Sequence, residues 1–196
     1  MTSSELSGCV IVTGMPAAGK STVTGLVARM LPHAAQVKGD DVNQMIQSGW
    51  VWFLGKPEDD AVRHYELTKR NLCSLAANFA DFGFTALVDT VVSDRAELDF
   101  LLALLSPRPV HLVVLAPGIE ACKHRNATRD PDERFDFDGY EELERDMRDG
   151  FGDAGWWFDT SGLTPEETAE RIVREAAARA PLRGGWETRM RRLHEA

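Results

Sequence analysis

The sequence predicts an α/β domain, a three-layer sandwich of helices around a five-stranded, mostly parallel sheet. Short apolar runs of strand length alternate with stretches in which apolar residues recur every three or four positions, and no linker, repeat or low-complexity tract interrupts the alternation. The length, 196 residues, suits one such domain with a core of its own.

The run Cys9-Val10-Ile11-Val12 stops at Gly14, the pattern of a buried strand feeding a turn. Lys20 to Met30 then carries Val23, Leu26, Val27 and Met30 at helical spacing, and Pro32 ends it. Ala35 to Lys38 is a weaker strand ending at Gly39-Asp40-Asp41, after which Val42, Met45 and Ile46 mark one face of a second helix. A long helix is expected from Glu58 to Phe82, with Val62, Tyr65, Leu72, Leu75, Ala76 and Phe79 on its apolar face and Gly83 as its stop. Phe84 to Val88 is the third strand, ending at Asp89. Arg95 to Leu105 is helical, Pro107 and Pro109 close it, and Val110 to Leu115 is the fourth strand.

Ile119 to Arg129 reads as a helix, residues 130–139 as a charged irregular flap, and Tyr140 to Arg148 as helix again. Trp156-Trp157-Phe158-Asp159 is the fifth strand. Thr164-Pro165-Glu166-Glu167 has the form of a capping box with proline at the first helical position, and opens a helix through Ala169, Ile172, Val173 and Ala176. Residues 1–180 are thus expected to form the domain. Residues 181–196, with Arg183, Arg189, Arg191 and Arg192 around Trp186, are expected to form a basic tail.

A formal net charge of −9 counts against duplex nucleic acid as a partner, because phosphate contacts need clustered Lys and Arg. A small substrate fits better. Cys9, Cys73 and Cys122 have neither zinc-type spacing nor the density of a disulfide framework, and are expected to be reduced core residues. The N-terminal residues lack the basic flank of a signal peptide and no apolar stretch reaches the length of a membrane span, which places the expected compartment in the cytoplasm.

Gly14-Met15-Pro16-Ala17-Ala18-Gly19-Lys20-Ser21 fits G-x-x-x-x-G-K-[ST], the phosphate-binding P-loop, with Thr22 after it. Its setting between a strand and a helix is what the chemistry needs. Glycines let backbone amides converge on phosphate oxygens, and the helix N-terminus adds partial positive charge. Lys20 is expected at the β- and γ-phosphates of ATP, the Ser21 hydroxyl on Mg²⁺, and Thr22 near the α-phosphate.

No Asn-Lys-x-Asp motif for reading guanine is present, nor a strand ending in the Asp-Glu pair of motor ATPases. With Gly39-Asp40-Asp41 after the second strand, Asp89 after the third, Arg125 and Arg129 after Cys122, and Phe158-Asp159-Thr160-Ser161 before the last helix, the chain resembles the small P-loop kinases. The likeness is to chloramphenicol phosphotransferase-like proteins and the wider group of gluconate, shikimate and polynucleotide 5′-hydroxyl kinases, over about residues 8–178. It implies a nucleoside-monophosphate-kinase-like sandwich with a lid at about residues 119–139. Asp40-Asp41, the Trp-rich segment after them and the basic tail depart from the chloramphenicol enzymes.

Transfer to a hydroxyl needs a carboxylate near the attacking oxygen, since an alcohol becomes nucleophilic as its proton is drawn away. In the resembled families an aspartate ends the second strand, which puts Asp40 in that role, or Asp41 if the register slips by one; either can also cap the next helix. Asp89 lies at the carboxyl edge of the sheet, where it can hold a Mg²⁺ water or a substrate hydroxyl, or cap a turn. The resemblance makes Arg125 and Arg129, four apart on one helical face, the lid arginines over the triphosphate, with surface pairs to Glu120, Asp130, Asp132 and Glu133 as the alternative. Arg134 is as consistent with a surface ion pair as with a third. It also puts Thr160 and Ser161 beside the adenine. Trp50, Trp52 and Phe53, clustered between Gly49 and Gly55, either wall the acceptor pocket or belong to the core, and their poor alternation for either regular element favours the wall.

The expected activity is therefore ATP- and Mg²⁺-dependent O-phosphotransfer to a small hydroxyl compound, an antibiotic or related metabolite by resemblance. A nucleoside, sugar or polynucleotide 5′-hydroxyl kinase is the nearest alternative. A nucleotide-binding switch without phosphotransfer is the alternative of another class.

Overall fold

The first strand, β1 (Cys9–Gly14), is buried along its whole length, and its alternation divides the core in two. Cys9 and Ile11 pack to one side of the sheet and Val10 and Val12 to the other, so helices must cover both faces. The computed structural model, which describes residues 6–131 and 134–182, meets that demand with seven helices among the described residues. On the first face lie α3 (Glu58–Asp81), α4 (Arg95–Leu105) and α6 (Tyr140–Phe151), through Leu72, Cys73 and Ala76, Leu98 to Leu105, and Met147 and Phe151. On the second lie α1 (Lys20–Met30), α5 (Ile119–Ala127) and α7 (Pro165–Arg179), through Val23 and Val27, Cys122, and Ala169, Ile172 and Ala176.

The remaining strands are β2 (Ala34–Lys38), β3 (Thr85–Asp89), β4 (Val110–Ala116) and β5 (Trp156–Asp159), in the order β2-β3-β1-β4-β5. Every strand pair is parallel, where the sequence led us to expect a mostly parallel sheet. The order has a functional consequence. β1 lies between β3 and β4, so its carboxyl end, the P-loop, emerges beside the ends of both. In register, Val12 stands against Asp89, and Lys38 stands against Asp89 from the other side.

Local signals placed most elements. Gly83 takes the left-handed φ of 84° after α3, and Thr164 and Glu167 close the capping box of α7 with Pro165 in its first turn. All three cysteines are free and buried. Among the described residues no helix is long and apolar enough to cross a membrane.

Three expectations need correction. The helix after β2, α2 (Gly39–Gln44), stops before Met45, which is exposed and does not continue an apolar face. The helix expected to reach Arg129 ends at Ala127 with Thr128 as its C-cap, ahead of Asp130-Pro131, where the residue before proline is disfavoured in helical backbone. On α3, Val62 and Phe79 face outward while Ala61, Thr68, Lys69, Leu72 and Ala76 face in. Of the basic tail, all but Pro181 and Leu182 lies outside the described residues. Ala180 and Leu182 pair with the start of β4, through Leu112 N–H to Ala180 O at 2.9 Å and Leu182 N–H to Val110 O at 3.0 Å.

Candidate active site

The P-loop turns sharply between β1 and α1, and three of its residues have positive φ: Gly14 at 139°, Ala17 at 62° and Gly19 at 98°. A side chain at Gly14 would put its Cβ 2.5 Å from the Leu115 carbonyl oxygen, so the close approach of β1 to β4 requires glycine there. Ala17 has no such exemption. A left-handed non-glycine residue costs about 1–3 kcal/mol and persists where surrounding structure imposes it, as it does in this loop. Lys20 lies back over the loop, its Nζ donating to the carbonyls of Gly14 at 3.1 Å and Met15 at 2.9 Å. Burial pushes the Lys20 ammonium below the usual lysine range, and the charges of Asp89 and Asp40 oppose that shift.

Asp89 ends β3 at 5% exposure, and its Oδ2 has no hydrogen-bond partner. Burial raises its pKa, while the neighbouring Ser21 side chain and the charge of Lys20 hold it down. Ser21, in the first turn of α1, and Asp89 thus meet beside the phosphate loop. Asp40, exposed in the first turn of α2, is close enough to Lys20 and Asp89 to influence the titration of both. Asp41 is engaged in an ion pair, its carboxylate 2.8 Å from Lys38 Nζ. Of the adjacent aspartates, Asp40 is therefore the one that shares the centre with Lys20, Ser21 and Asp89.

On the far side of the P-loop a cavity of about 380 Å³ is lined by Ala18, Thr22, Arg125, Thr160, Leu163 and Pro165 among others. Arg125 also donates through Nη1 to the Ala18 carbonyl at 3.1 Å, tying α5 to the loop. Thr160 lies in the wall, whereas Ser161 does not line the cavity; its N–H is taken by the Asp159 carboxylate at 2.9 Å. Met15, Pro16 and Ala17, though part of the loop, contribute none of that wall. Leu163, Pro165 and Thr168 complete it, and sequence reasoning missed them because their motif was read only as a helix cap.

The other expected lid arginines are engaged within the lid. The Arg129 guanidinium lies 5.4 Å from the Phe135 ring centroid, and Arg134 Nε donates to the Arg129 carbonyl at 2.8 Å. Because α5 ends at Ala127, Arg129 does not share a helical face with Arg125.

Between α2 and α3, Trp50, Trp52 and Phe53 are exposed, with the Trp52 and Phe53 rings 4.9 Å apart and Phe53 5.8 Å from Tyr65. Behind them stands a polar network that the sequence reading did not include. Lys69 Nζ, nearly fully buried, donates to Thr90 Oγ1 and the Val91 carbonyl, both at 2.6 Å, and pairs with Glu97 at 2.7 Å. Glu97 also accepts from the Tyr65 hydroxyl at 2.6 Å and from the Ser93 N–H at 2.7 Å. The signal was present: Lys69 shares the inward face of α3 with Leu72, Cys73 and Ala76. This network fixes the loop that follows Asp89.

A family model described as an AAA domain, AAA_33, matches residues 9–153. Among curated proteins none matches the sequence. Solved structures share the fold. A sugar kinase from Janibacter sp. HTCC2649 has a TM-score of 0.63 and 19% identity, covering 88% of this chain and 96% of that one. The tunicamycin resistance protein of Deinococcus radiodurans has a TM-score of 0.64 and 18% identity, covering 89% and 98%. A gluconokinase from Sinorhizobium meliloti 1021 has a TM-score of 0.55 and 15% identity, covering 97% and 98%. With a P-loop at the end of β1, a parallel sheet shared with these structures and a family match over most of its length, the chain belongs to the AAA_33 family of AAA domains.

Proposed function

We propose that the protein transfers the γ-phosphoryl group of ATP to a hydroxyl group of a small molecule. The observation that carries this reading is the convergence of Lys20, Ser21, Asp89 and Asp40 at the carboxyl end of the sheet, with a base-sized cavity on the other side of the same loop. The names of the structural neighbours, two of them kinases, support the reaction class. They disagree about the acceptor. The tunicamycin resistance neighbour is the reason to keep hydroxylated antibiotics among the candidates.

In this reading the P-loop amides and Lys20 hold the phosphates, and Arg125, Thr160 and Leu163 bound the adenosine side. The residues present fit Mg²⁺: a serine hydroxyl and a buried carboxylate with one oxygen unpartnered are hard oxygen donors, and phosphate oxygens and waters would supply the rest. Bound there, Mg²⁺ supplies charge neutralisation of the phosphates. Asp40 accepts the proton as the acceptor oxygen bonds to the γ-phosphorus and the bond to the bridging oxygen breaks. Asp41, paired with Lys38, is the weaker candidate for that base. Trp50, Trp52 and Phe53 flank the acceptor. We place the enzyme in the cytoplasm, where ATP and reduced cysteines are at home.

The test is ADP production with Mg²⁺-ATP across hydroxylated antibiotics, nucleosides, sugars and 5′-hydroxyl oligonucleotides. One acceptor should stimulate turnover, Asp40→Asn should lower kcat by about 10²–10⁴-fold without weakening ATP binding, and Lys20→Ala should abolish the signal. ATP binding with no stimulated turnover, unchanged by Asp40→Asn, would instead identify a nucleotide switch.

A further inference from the structure

The acceptor side of the site differs sharply from the phosphate side in charge and polarity. Five large apolar side chains between residues 45 and 54 are exposed: Met45, Trp50, Trp52, Phe53 and Leu54. Single exposed apolar residues are ordinary, but five in ten positions, two of them with their rings in contact, are more than scattered exposure. They join the catalytic centre through a continuous chain of contacts. Phe53 packs on Tyr65, Tyr65 bonds Glu97, Glu97 pairs with Lys69, and Lys69 holds Thr90, the residue after Asp89.

The same wall offers no cation to an anionic acceptor. Between residues 38 and 69 there are four lysines and arginines against six aspartates and glutamates, so acidic groups outnumber their partners before Asp89 and Asp94 are added. Each of the four is matched with a carboxylate: Lys38 with Asp41, Lys56 with Glu58, Arg63 with Asp60, and Lys69 with Glu97. Lys38, in register with Asp89, is held by Asp41, and Lys69, behind the wall, has all three donor positions filled inside the protein and lies 4.7 Å from the Tyr65 ring centroid. A carboxylate or phosphate brought to Asp40 would meet its negative charge, and the cations of this wall are already matched with carboxylates; like charges brought together oppose binding.

We infer that the acceptor is an alcohol with a flat aromatic or similarly apolar portion and no negative charge, seated with that portion against Trp52 and Phe53 and its hydroxyl toward Asp40. This rests on the kinase reading above and narrows it. It removes sugar acids, sulfonucleotides and polynucleotide 5′ ends from the acceptor class. Neutral and amine-bearing acceptors remain, since the surplus of carboxylates tolerates either.

The experiment compares kcat/KM for four acceptor sets under Mg²⁺-ATP: neutral nucleosides and aryl alcohols, aryl amino alcohols, gluconate and shikimate, and a 5′-hydroxyl oligonucleotide. The best acceptor should come from the first two sets, at about tenfold or more above either anionic set. With that acceptor, Trp52→Ala and Phe53→Ala should each raise its KM about tenfold, with kcat and the KM for ATP nearly unchanged, because stacking is lost while the chemistry is not. Both side chains are exposed, so the variants should keep the wild-type melting temperature. A gluconate, shikimate or oligonucleotide preference, or unchanged acceptor KM in both variants, overturns the inference and leaves the kinase reading standing. Failure of all four sets to stimulate ADP release overturns both.

Discussion

Lys69 Nζ lies 2.7 Å from the Glu97 carboxylate, with the two side chains only 3% and 8% exposed. Burial alone would strip the lysine of its charge, and the pair survives because Glu97, Thr90 Oγ1 and the Val91 carbonyl together replace the lost water. Removing one partner leaves the other charged and unmatched. Lys69→Met should therefore destabilise the protein by about 3–5 kcal/mol, a melting shift on the order of 10 °C for a chain of this size. The double variant Lys69→Met/Glu97→Gln should recover part of that loss. Thermal unfolding of both decides it, and a Lys69→Met protein that melts as the wild type does would show that the pair contributes nothing.

Asp89 is expected to reveal itself through opposite effects on stability and activity. Its folded pKa is raised above the ordinary carboxylate value, chiefly by burial, so the folded state binds its proton more readily than the unfolded one. Stability from this group is complete below that ordinary value and is lost as pH rises through the folded pKa. At neutral pH, Asp89 is thus a cost to the nucleotide-free protein. Asp89→Asn should melt a few degrees higher at pH 7 without Mg²⁺-ATP, about 2–4 °C for each kcal/mol relieved. The gain should shrink as the pH is lowered toward 4, and turnover should fall by about 10²-fold or more. A variant that melts lower than wild type at pH 7 would contradict the burial argument.

Arg125 and Arg129 should separate in a nucleotide-binding assay. Arg125 reaches the Ala18 carbonyl and lines the cavity beside the loop, whereas Arg129 stacks on Phe135 within the lid. Arg125→Ala should weaken ATP binding about tenfold, equivalent to 1.4 kcal/mol. Arg129→Ala should weaken it less than about threefold, about half of that on the same scale. Calorimetric titration with a non-hydrolysable ATP analogue measures both, and equal losses would mean that the two arginines act together on the triphosphate.

Much of the architecture could be read along the chain because it is set by local physics. A run such as Val10-Ile11-Val12 before Gly14 reads as a buried strand because its continuous apolar side chains need cover on both faces, and Thr164-Pro165-Glu166-Glu167 opens a helix because its capping box satisfies first-turn backbone groups within a few residues. The same locality makes Lys20 and Ser21 legible, because the P-loop is one continuous segment whose function depends on its own turn and the helix after it. The errors lie where side chains compete with periodicity. α5 ends two residues early, ahead of Asp130-Pro131, and the inward face of α3 was misread at Val62 and Phe79, since the buried face includes the small Ala61 and the polar Thr68 and Lys69, which carry little hydrophobic signal.

The relationships that assemble the site are of another kind. Asp89 meets Ser21 because strand order sets β3 beside β1, and Arg125 reaches Ala18 across 107 residues because β4 flanks β1 on the other side. Lys69 finds Glu97 only when α3 and α4 pack on the same face of the sheet. None of these distances is encoded in spacing along the chain. They follow from burying the two faces of a parallel sheet at once, which brings remote polar groups together and removes the water that would otherwise keep them independent.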